Sequence, residues 1–213
     1  MNQSPTHPAT TTIATTQAAS TAQAAQAIGA IVRSLGHDEH YARLSAPHET
    51  VTGTVPPAEY GQFVRIDHDS QTNLIGIVTG ILSVDASAGK YNPLFQKETP
   101  FAELFTNELD ERTTFARITP VGKQDPKGPN HAFPKEAPRL GSAVYLLKDD
   151  EIRAFHAPHG RVRMAYYENM FQSQSVPKPV LQTVLHRLRD LFPASHPILD
   201  ALLQETTYKR WQQ

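Results

Sequence analysis

Short runs of apolar and β-branched residues, separated by turn-forming residues, follow one another from residue 27 to about residue 170. Eight of these runs are candidate strands, at residues 27–35, 40–45, 50–55, 62–68, 74–82, 113–121, 143–147 and 162–167. Glycine and proline separate them, and the glycines expected to form turns or to permit close packing are Gly61, Gly76, Gly122 and Gly141. The pattern predicts a mainly β fold with a small closed or partly closed β-barrel, since closure removes exposed strand edges.

Residues 63–67 illustrate how side chains on such a strand would point alternately to its two faces. Phe63 and Arg65 point to one face, while Val64 and Ile66 point to the other. We therefore expect one face to pack in the core and the other to meet water.

After residue 176 the hydrophobic period changes from that of a strand to that of a helix. Residues 178–192 carry a single apolar stripe and end before Pro193, and a second amphipathic segment begins near Ser195. The pattern predicts a C-terminal helical hairpin over residues 177–213, following a barrel domain over residues 27–170. An apolar stripe of this length could bind a partner, and its candidate contact residues are Leu181, Leu185, Leu188 and Leu202.

Three further segments depart from the strand pattern. Residues 1–26 are rich in Thr, Ala and Gln and contain no charged side chain, so we expect a disordered tail; a transit peptide is disfavoured by the lack of Arg and Lys. Residues 100–111 have helical spacing and predict a short helix that covers the barrel. Residues 123–139 contain four prolines and predict an irregular surface loop without strand pairing.

Composition limits the classes of function. The 213 residues carry a net charge of -1, which gives no overall field to attract nucleic acid or an anionic membrane. The absence of cysteine excludes disulfides, thiolate nucleophiles and cysteine-based zinc sites. No stretch is long and apolar enough to predict a membrane-spanning helix, and we expect a cytoplasmic protein without membrane contact.

Several segments, taken in order, resemble one known family. Residues 27–33 (AIGAIVR), 60–66 (YGQFVRI) and 74–79 (LIGIVT) are similar to the opening strands of the HAS-barrel, the N-terminal domain of HerA-type hexameric translocases. Residues 114–122 and 138–146 resemble its later strands, and the acidic residues 149–151 resemble the helix start that follows. The resemblance covers roughly residues 27–155. HAS-barrels also occur in F-type ATP synthase subunits, where they form a collar between neighbouring subunits.

The resemblance implies a role in subunit contacts without catalysis. HerA proteins continue into an ATPase domain with a P-loop, whereas neither Gly-Lys pair of this chain has the spacing of that motif. We therefore expect a non-catalytic adaptor without a cofactor. Its expected partners are other protein subunits, either copies of itself or the ATPase or nuclease of a HerA-type DNA-processing system.

Two short clusters raise the question of enzyme or metal chemistry. His37 to His40 (HDEH) and the His156-x-x-His159 pair have spacings at which an ion can be shared, although both lie in predicted turns or beside a proline. Asp67, His68 and Asp69 are the nearest acid–base candidates. Solvated turn residues are the favoured interpretation of all three, so no catalytic or metal-binding residue is predicted.

Nucleic-acid binding is the alternative function. Arg161 and Arg163 alternate with apolar residues, and Tyr166 and Tyr167 follow as candidates for stacking on bases. The competing interpretation makes the two arginines the solvent-facing side of a strand that packs through Val162 and Met164.

Overall fold

The computed structural model describes residues 26–45, 56–84, 113–158 and 160–208. The predicted strand at 50–55, the predicted helix at 100–111, all but the last residue of the predicted tail, and His159 lie outside the described residues.

Seven strands form the described β-structure. They are β1 (Gly29–Leu35), β2 (Glu39–Leu44), β3 (Phe63–Asp67), β4 (Asn73–Val84), β5 (Thr113–Asp125), β6 (Gly128–Asn130) and β7 (Ala143–Leu146). Neighbouring strands run antiparallel in the order β2-β1-β7-β3-β4-β5, and β2 also pairs with β5. This last pairing closes a six-stranded barrel. The predicted mainly β fold and six of the predicted strands are confirmed.

The barrel contains a Greek-key arrangement. Strands β3, β4 and β5 are consecutive neighbours, and β7 returns to lie on the far side of β3. The loop before β7 is tied to β1, where the Gly141 amide donates to the Ile31 carbonyl at 2.7 Å.

The predicted irregular loop at 123–139 is partly wrong. Strand β5 continues to Asp125 and pairs with β6, with Lys123 opposite Asn130. Gly128 adopts a φ of 113°, and the Asp125 carboxylate accepts a hydrogen bond from the Lys127 amide at 2.8 Å, so this short turn satisfies its own backbone. The prolines still limit β6 to three residues.

The predicted strand at 162–167 is wrong. Residues 161–164 alternate between exposed and half-buried positions but pair with none of the described strands, and a helix begins at Tyr167. An alternating pattern of apolar and polar residues does not form a strand by itself. A strand also needs a neighbour with free backbone groups, and the barrel strands already pair with one another.

Four α-helices follow the barrel in the described residues: α1 (Asp149–His156), α2 (Tyr167–Gln172), α3 (Lys178–Leu191) and α4 (His196–Tyr208). Helix α1 has three acidic residues in its first turn, where they complement the helix dipole. A 3₁₀ turn at Pro193–Ser195 joins α3 to α4. The predicted C-terminal helical hairpin is confirmed. Among the described residues, none of the helices has the length and apolar character needed to cross a membrane.

Two hydrophobic cores hold these elements together. The first fills the barrel, with Ile31, Val64, Ile66 and Ile118 among its members. The second lies between the outer face of the barrel and the helices. It joins barrel residues to helical residues, among them Phe63, Ile75, Ile77, Val121, Leu181, Leu185 and Leu188.

This second core corrects two expectations. Phe63 is buried on the outer face of β3, so that face is covered there, while the neighbouring Arg65 remains partly exposed. Leu181, Leu185 and Leu188 are fully buried and Leu202 is partly buried in the same cluster. The apolar stripe of the hairpin is therefore used within the chain, where the barrel satisfies it, and is not available as a partner-binding surface.

We expect Leu185→Ala to lower the free energy of unfolding by about 2–5 kcal/mol, because it leaves a cavity between α3 and the barrel. Ile198→Ala, at a residue that is 59% exposed on α4, is the matched control and should change stability by less than about 0.5 kcal/mol. Chemical denaturation followed by circular dichroism measures both. Equal effects of the two substitutions would contradict a core shared by hairpin and barrel.

Candidate functional site

Two glycines allow close packing between neighbouring elements. Gly61 has a φ of 81°, and a Cβ there would lie 2.9 Å from Thr183 Cγ2 of α3. A Cβ on Gly76 would lie 2.5 Å from Ile118 Cγ2 on the adjacent strand. Both distances are shorter than a normal carbon–carbon contact, so a side chain at either position would push α3 or β5 away.

The other two predicted glycines shape the chain at the ends of strands. A Cβ on Gly122 would lie 2.4 Å from the Asn130 carbonyl oxygen, so the β5–β6 hairpin requires its absence. Gly141 adopts a φ of 83° in open space, which serves the turn before β7.

One end of the barrel exposes apolar side chains. The turn between β1 and β2 projects there, and the loop at 131–140 lies beside it through the Gly141–Ile31 hydrogen bond and a contact between the His37 and Phe133 rings, 5.3 Å between centroids. Leu35, Phe133 and Leu140 are 38%, 37% and 70% exposed. We call these three residues and the adjoining turn the hairpin end.

A cleft of about 300 Å³ lies next to the hairpin end. Its walls come from the β1–β2 turn, β5, the loop and the α2 region, and its lining residues are His37, Asp38, Glu39, Thr119, Pro120, Phe133, Tyr166, Asn169, Met170, Ser173 and Ser175. Arg117 fixes one wall, because its guanidinium donates to the Ser175 carbonyl at 2.7 Å and to the Thr79 carbonyl at 3.2 Å.

A buried histidine–tyrosine pair supports the floor of this cleft. His156 Nδ1 lies 2.9 Å from the Ile152 carbonyl oxygen, so Nδ1 carries the proton and Nε2 accepts. The Tyr166 hydroxyl donates to Nε2 at 2.6 Å. Burial lowers the pKa of His156 to about 3 and raises the pKa of Tyr166 well above its usual value. Both groups are therefore neutral near pH 7, and their hydrogen bond joins α1 to the start of α2.

A second histidine extends this cluster towards the loop. His131 Nε2 donates to the Phe155 carbonyl at 2.9 Å, and its ring stacks on the Phe155 ring at 4.4 Å. Burial lowers the pKa of His131, and the positive charge of Arg163 lowers it further. The cluster is thus a neutral aromatic support, since protonation of either imidazole is disfavoured.

The HDEH segment does not form a metal site. His40 is buried and its Nδ1 lies 3.0 Å from Ser34 Oγ, with its pKa lowered by burial to about 4. His37 instead contacts Phe133, and the Glu39 carboxylate accepts a hydrogen bond from the Tyr41 hydroxyl. Within residues 26–45, 56–84, 113–158 and 160–208, no group of three His, Asp or Glu side chains is arranged to hold a metal ion.

The acid–base candidates serve a turn. The Asp69 carboxylate accepts hydrogen bonds from the backbone amides of Gln71 and Thr72 at 2.8 and 2.6 Å, and these bonds lower its pKa. Asp67 lies 3.7 Å from Arg65, and His68 pairs with the exposed Glu136 at 3.1 Å. The three side chains thus have separate partners and do not converge on one point.

The four residues expected to contact nucleic acid are divided between surface and interior. Arg161 and Arg163 are exposed, but Tyr166 is only 3% exposed and Tyr167 stacks on Phe171. The Tyr167 hydroxyl also donates to Glu205 on α4 at 3.3 Å. The tyrosines therefore cannot present a stacking platform beside the arginines, because α2 turns them towards the helices.

Sequence reasoning missed the hairpin end. Phe133 lies in the segment 123–139, which is predicted to be an irregular loop, Leu140 follows directly after that segment, and Leu35 lies in a predicted strand. The signal that could have found this surface is Phe133 within the loop and Leu140 directly after it, since large apolar residues in a polar segment are either buried or available to a partner.

One protein family matches nearly the whole chain. The family described as a domain of unknown function, DUF8166, matches residues 12–213. The chain belongs to this family. In this DUF8166 chain the match spans the barrel and the helical hairpin together, in agreement with the core that they share. No curated protein matches the chain.

The burial of His156 predicts a loss of stability in acid. Its pKa is about 6.5 in the unfolded chain and about 3 in the folded chain, so below pH 6.5 the unfolded chain binds the extra proton. Lowering the pH from 6.5 to 5 should therefore remove about 2 kcal/mol of unfolding free energy through this one group.

Urea denaturation across this pH range measures the effect. The double variant His156→Phe/Tyr166→Phe replaces both partners with rings of similar shape and should show a shallower pH dependence. His186→Gln, at an exposed position on α3, is the control and should retain the wild-type dependence. An unchanged slope in the double variant would refute the assignment of this acid sensitivity to His156.

Proposed function

We propose that this protein is a non-catalytic assembly or adaptor protein that works in the cytoplasm and docks onto other protein subunits through the hairpin end. The observation that carries the proposal is the exposure of Leu35, Phe133 and Leu140 at one end of a closed barrel, beside a cleft wide enough to receive a side chain. Large apolar residues grouped with polar neighbours are typical of protein interfaces.

The barrel topology favours docking through side chains. Each of the six barrel strands is paired on both sides, because β2 pairs with both β1 and β5. Over these paired lengths the barrel offers no edge to which a partner strand could be added, and β6 is a three-residue strand that contains Pro129. Contacts with a partner would therefore come from turns and loops, and the hairpin end is where these carry apolar groups.

The resemblance to the HAS-barrel indicates which class of protein would bind the hairpin end. The resembling segments at 27–33, 60–66, 74–79, 114–122 and 138–146 each contain or overlap one barrel strand. A collar of such barrels assembles by packing one barrel against the next. On this basis the partner is a second copy of the chain or a subunit of a HerA-type DNA translocase or nuclease system.

The polar groups around the cleft also fit a binding role better than a catalytic one. Glu39 is occupied by the Tyr41 hydroxyl, and Tyr166 donates its only proton to His156. Acid–base catalysis needs a group that can exchange a proton near neutral pH, whereas burial moves the pKa values of His156 and Tyr166 away from that range.

The first test is the mass of the purified full-length protein, measured by size-exclusion chromatography with light scattering over a range of concentrations. Self-association is expected, and Leu140→Glu should weaken it by about 2 kcal/mol, or roughly 30-fold in the dissociation constant, because it places a charge in an apolar contact.

Ile198→Glu provides the matched control, since Ile198 is the exposed apolar residue of α4 and lies outside the hairpin end. It should leave the association unchanged. If the wild-type chain stays monomeric and binds no HerA-type ATPase or nuclease in a pull-down from extract, the proposal is wrong. Equal losses in both variants would show that the hairpin end is not the contact surface.

A further inference from the structure

Several arginines of the described residues form a hydrogen bond or an ion pair with another residue. Four of these pairings are direct: Arg65 with Glu151, Arg117 with the Ser175 carbonyl, Arg187 with Asp149 and Arg189 with Asp200. Four exposed arginines, Arg139, Arg153, Arg161 and Arg163, have none of the described carboxylates within ion-pair distance, and the last three lie close together in the sequence. We call these three residues the arginine turn.

The arginine turn lies in a part of the sequence without negative charge. Residues 152–167 contain these three arginines and no Asp or Glu. Because the whole chain has a net charge of -1, this positive charge is local and is balanced elsewhere on the molecule. An exposed group of cations that does not form ion pairs keeps its full attraction for an external anion.

The backbone of this segment places two of the arginines on one side. Arg161 and Arg163 are exposed while Val162 and Met164 are half-buried, so the arginines point outward together. The segment is anchored where the Arg163 amide donates to the His156 carbonyl at 2.8 Å, at the end of α1. The guanidinium groups are therefore displayed from a segment that the fold holds in place.

We propose that the arginine turn binds the phosphodiester backbone of a nucleic acid strand, independently of base sequence. A guanidinium group can bind a phosphate through two parallel hydrogen bonds, and all three cations here are arginines. A nucleic acid strand offers one phosphate per nucleotide, which suits several unpaired arginines along one segment. This inference does not rest on docking through the hairpin end.

The surroundings of the arginine turn favour a nucleic acid strand over a membrane surface or a hydrophobic protein partner. The five large apolar side chains that are exposed in the described chain, Leu35, Tyr60, Phe133, Leu140 and Ile198, all lie outside residues 152–167. A membrane surface or a hydrophobic protein partner would need such groups next to the charges. The inward position of Tyr166 removes base stacking, so the contact would be purely electrostatic.

The binding should be weak and sensitive to salt. Three phosphate contacts on a single strand predict a slope of about -2 for the logarithm of the association constant against the logarithm of salt concentration. Fluorescence anisotropy with the full-length protein and labelled oligothymidylate, between about 50 and 200 mM salt, measures this slope. A mixed-sequence strand of equal length should bind equally well.

The decisive variants remove equal charge from two places. Arg161→Ala/Arg163→Ala should weaken binding about 10-fold or more and reduce the salt slope to about -0.7, the contribution of the remaining Arg153. Arg187→Ala/Arg189→Ala loses the same net charge from residues paired with Asp149 and Asp200, so it should leave binding nearly unchanged. Circular dichroism melting verifies that both variants are folded.

Three results would overturn the proposal. The first is a wild-type protein that does not bind oligothymidylate at the lowest salt concentration. The second is an equal loss of affinity in the two double variants, which would indicate a nonspecific effect of net charge. The third is polyglutamate binding as tightly as oligothymidylate and losing affinity in the Arg161→Ala/Arg163→Ala variant, which would assign the arginine turn to an acidic protein segment.

Discussion

The packing of the helices against the outer face of β3, β4 and β5 determines the arrangement of every other surface in the described chain. The strands carry apolar residues on both faces, so Val64 faces the barrel interior while its neighbour Phe63 needs an outer cover. Helix α3 supplies that cover through a stripe that includes Leu185 and Leu188. Gly61 permits the approach, since any side chain there would meet Thr183. The C-terminal helical hairpin therefore shares a hydrophobic core with the barrel and is not a separate unit.

Within this packing, one hydrogen bond between two neutral side chains, Tyr166 and His156, fixes the position of α2 relative to α1. The Tyr166 hydroxyl and the His156 imidazole satisfy each other away from water, and the second ring nitrogen is satisfied by the Ile152 carbonyl. Breaking such a buried bond leaves a polar atom without a partner, which costs more than the bond itself contributes. The link therefore favours one orientation of α2. That orientation positions Met170 at the cleft, and Arg161 and Arg163 of the arginine turn lie just before α2 in the chain.

The sequence predicted the parts of the fold that depend on local period. Six barrel strands and both helices of the C-terminal hairpin follow from spacing alone, because strand and helix periods differ. The sequence shows that a helix has an apolar stripe, but the tertiary fold decides what that stripe packs against. For this reason the sequence alone could not tell whether Leu181 contacts a partner or the barrel. The strand expected at 162–167 failed for a related reason, since the closed barrel left its alternation without a neighbour. Tyr166 was misplaced with it, because its burial depends on the helix that replaced the strand.

The two proposed surfaces use different physical interactions and share one element. The hairpin end offers apolar area around Phe133, whereas the arginine turn offers charge without apolar area. Helix α2 lies between them, because Asn169 and Met170 line the cleft and Arg163 precedes the same helix. Coupling between two ligands would require α2 to have two positions of similar free energy. The buried His156–Tyr166 bond and the burial of Met170 oppose a second position. The two proposed surfaces are therefore expected to act independently, so that docking of a protein partner at one would leave the affinity of the other for a nucleic acid strand unchanged.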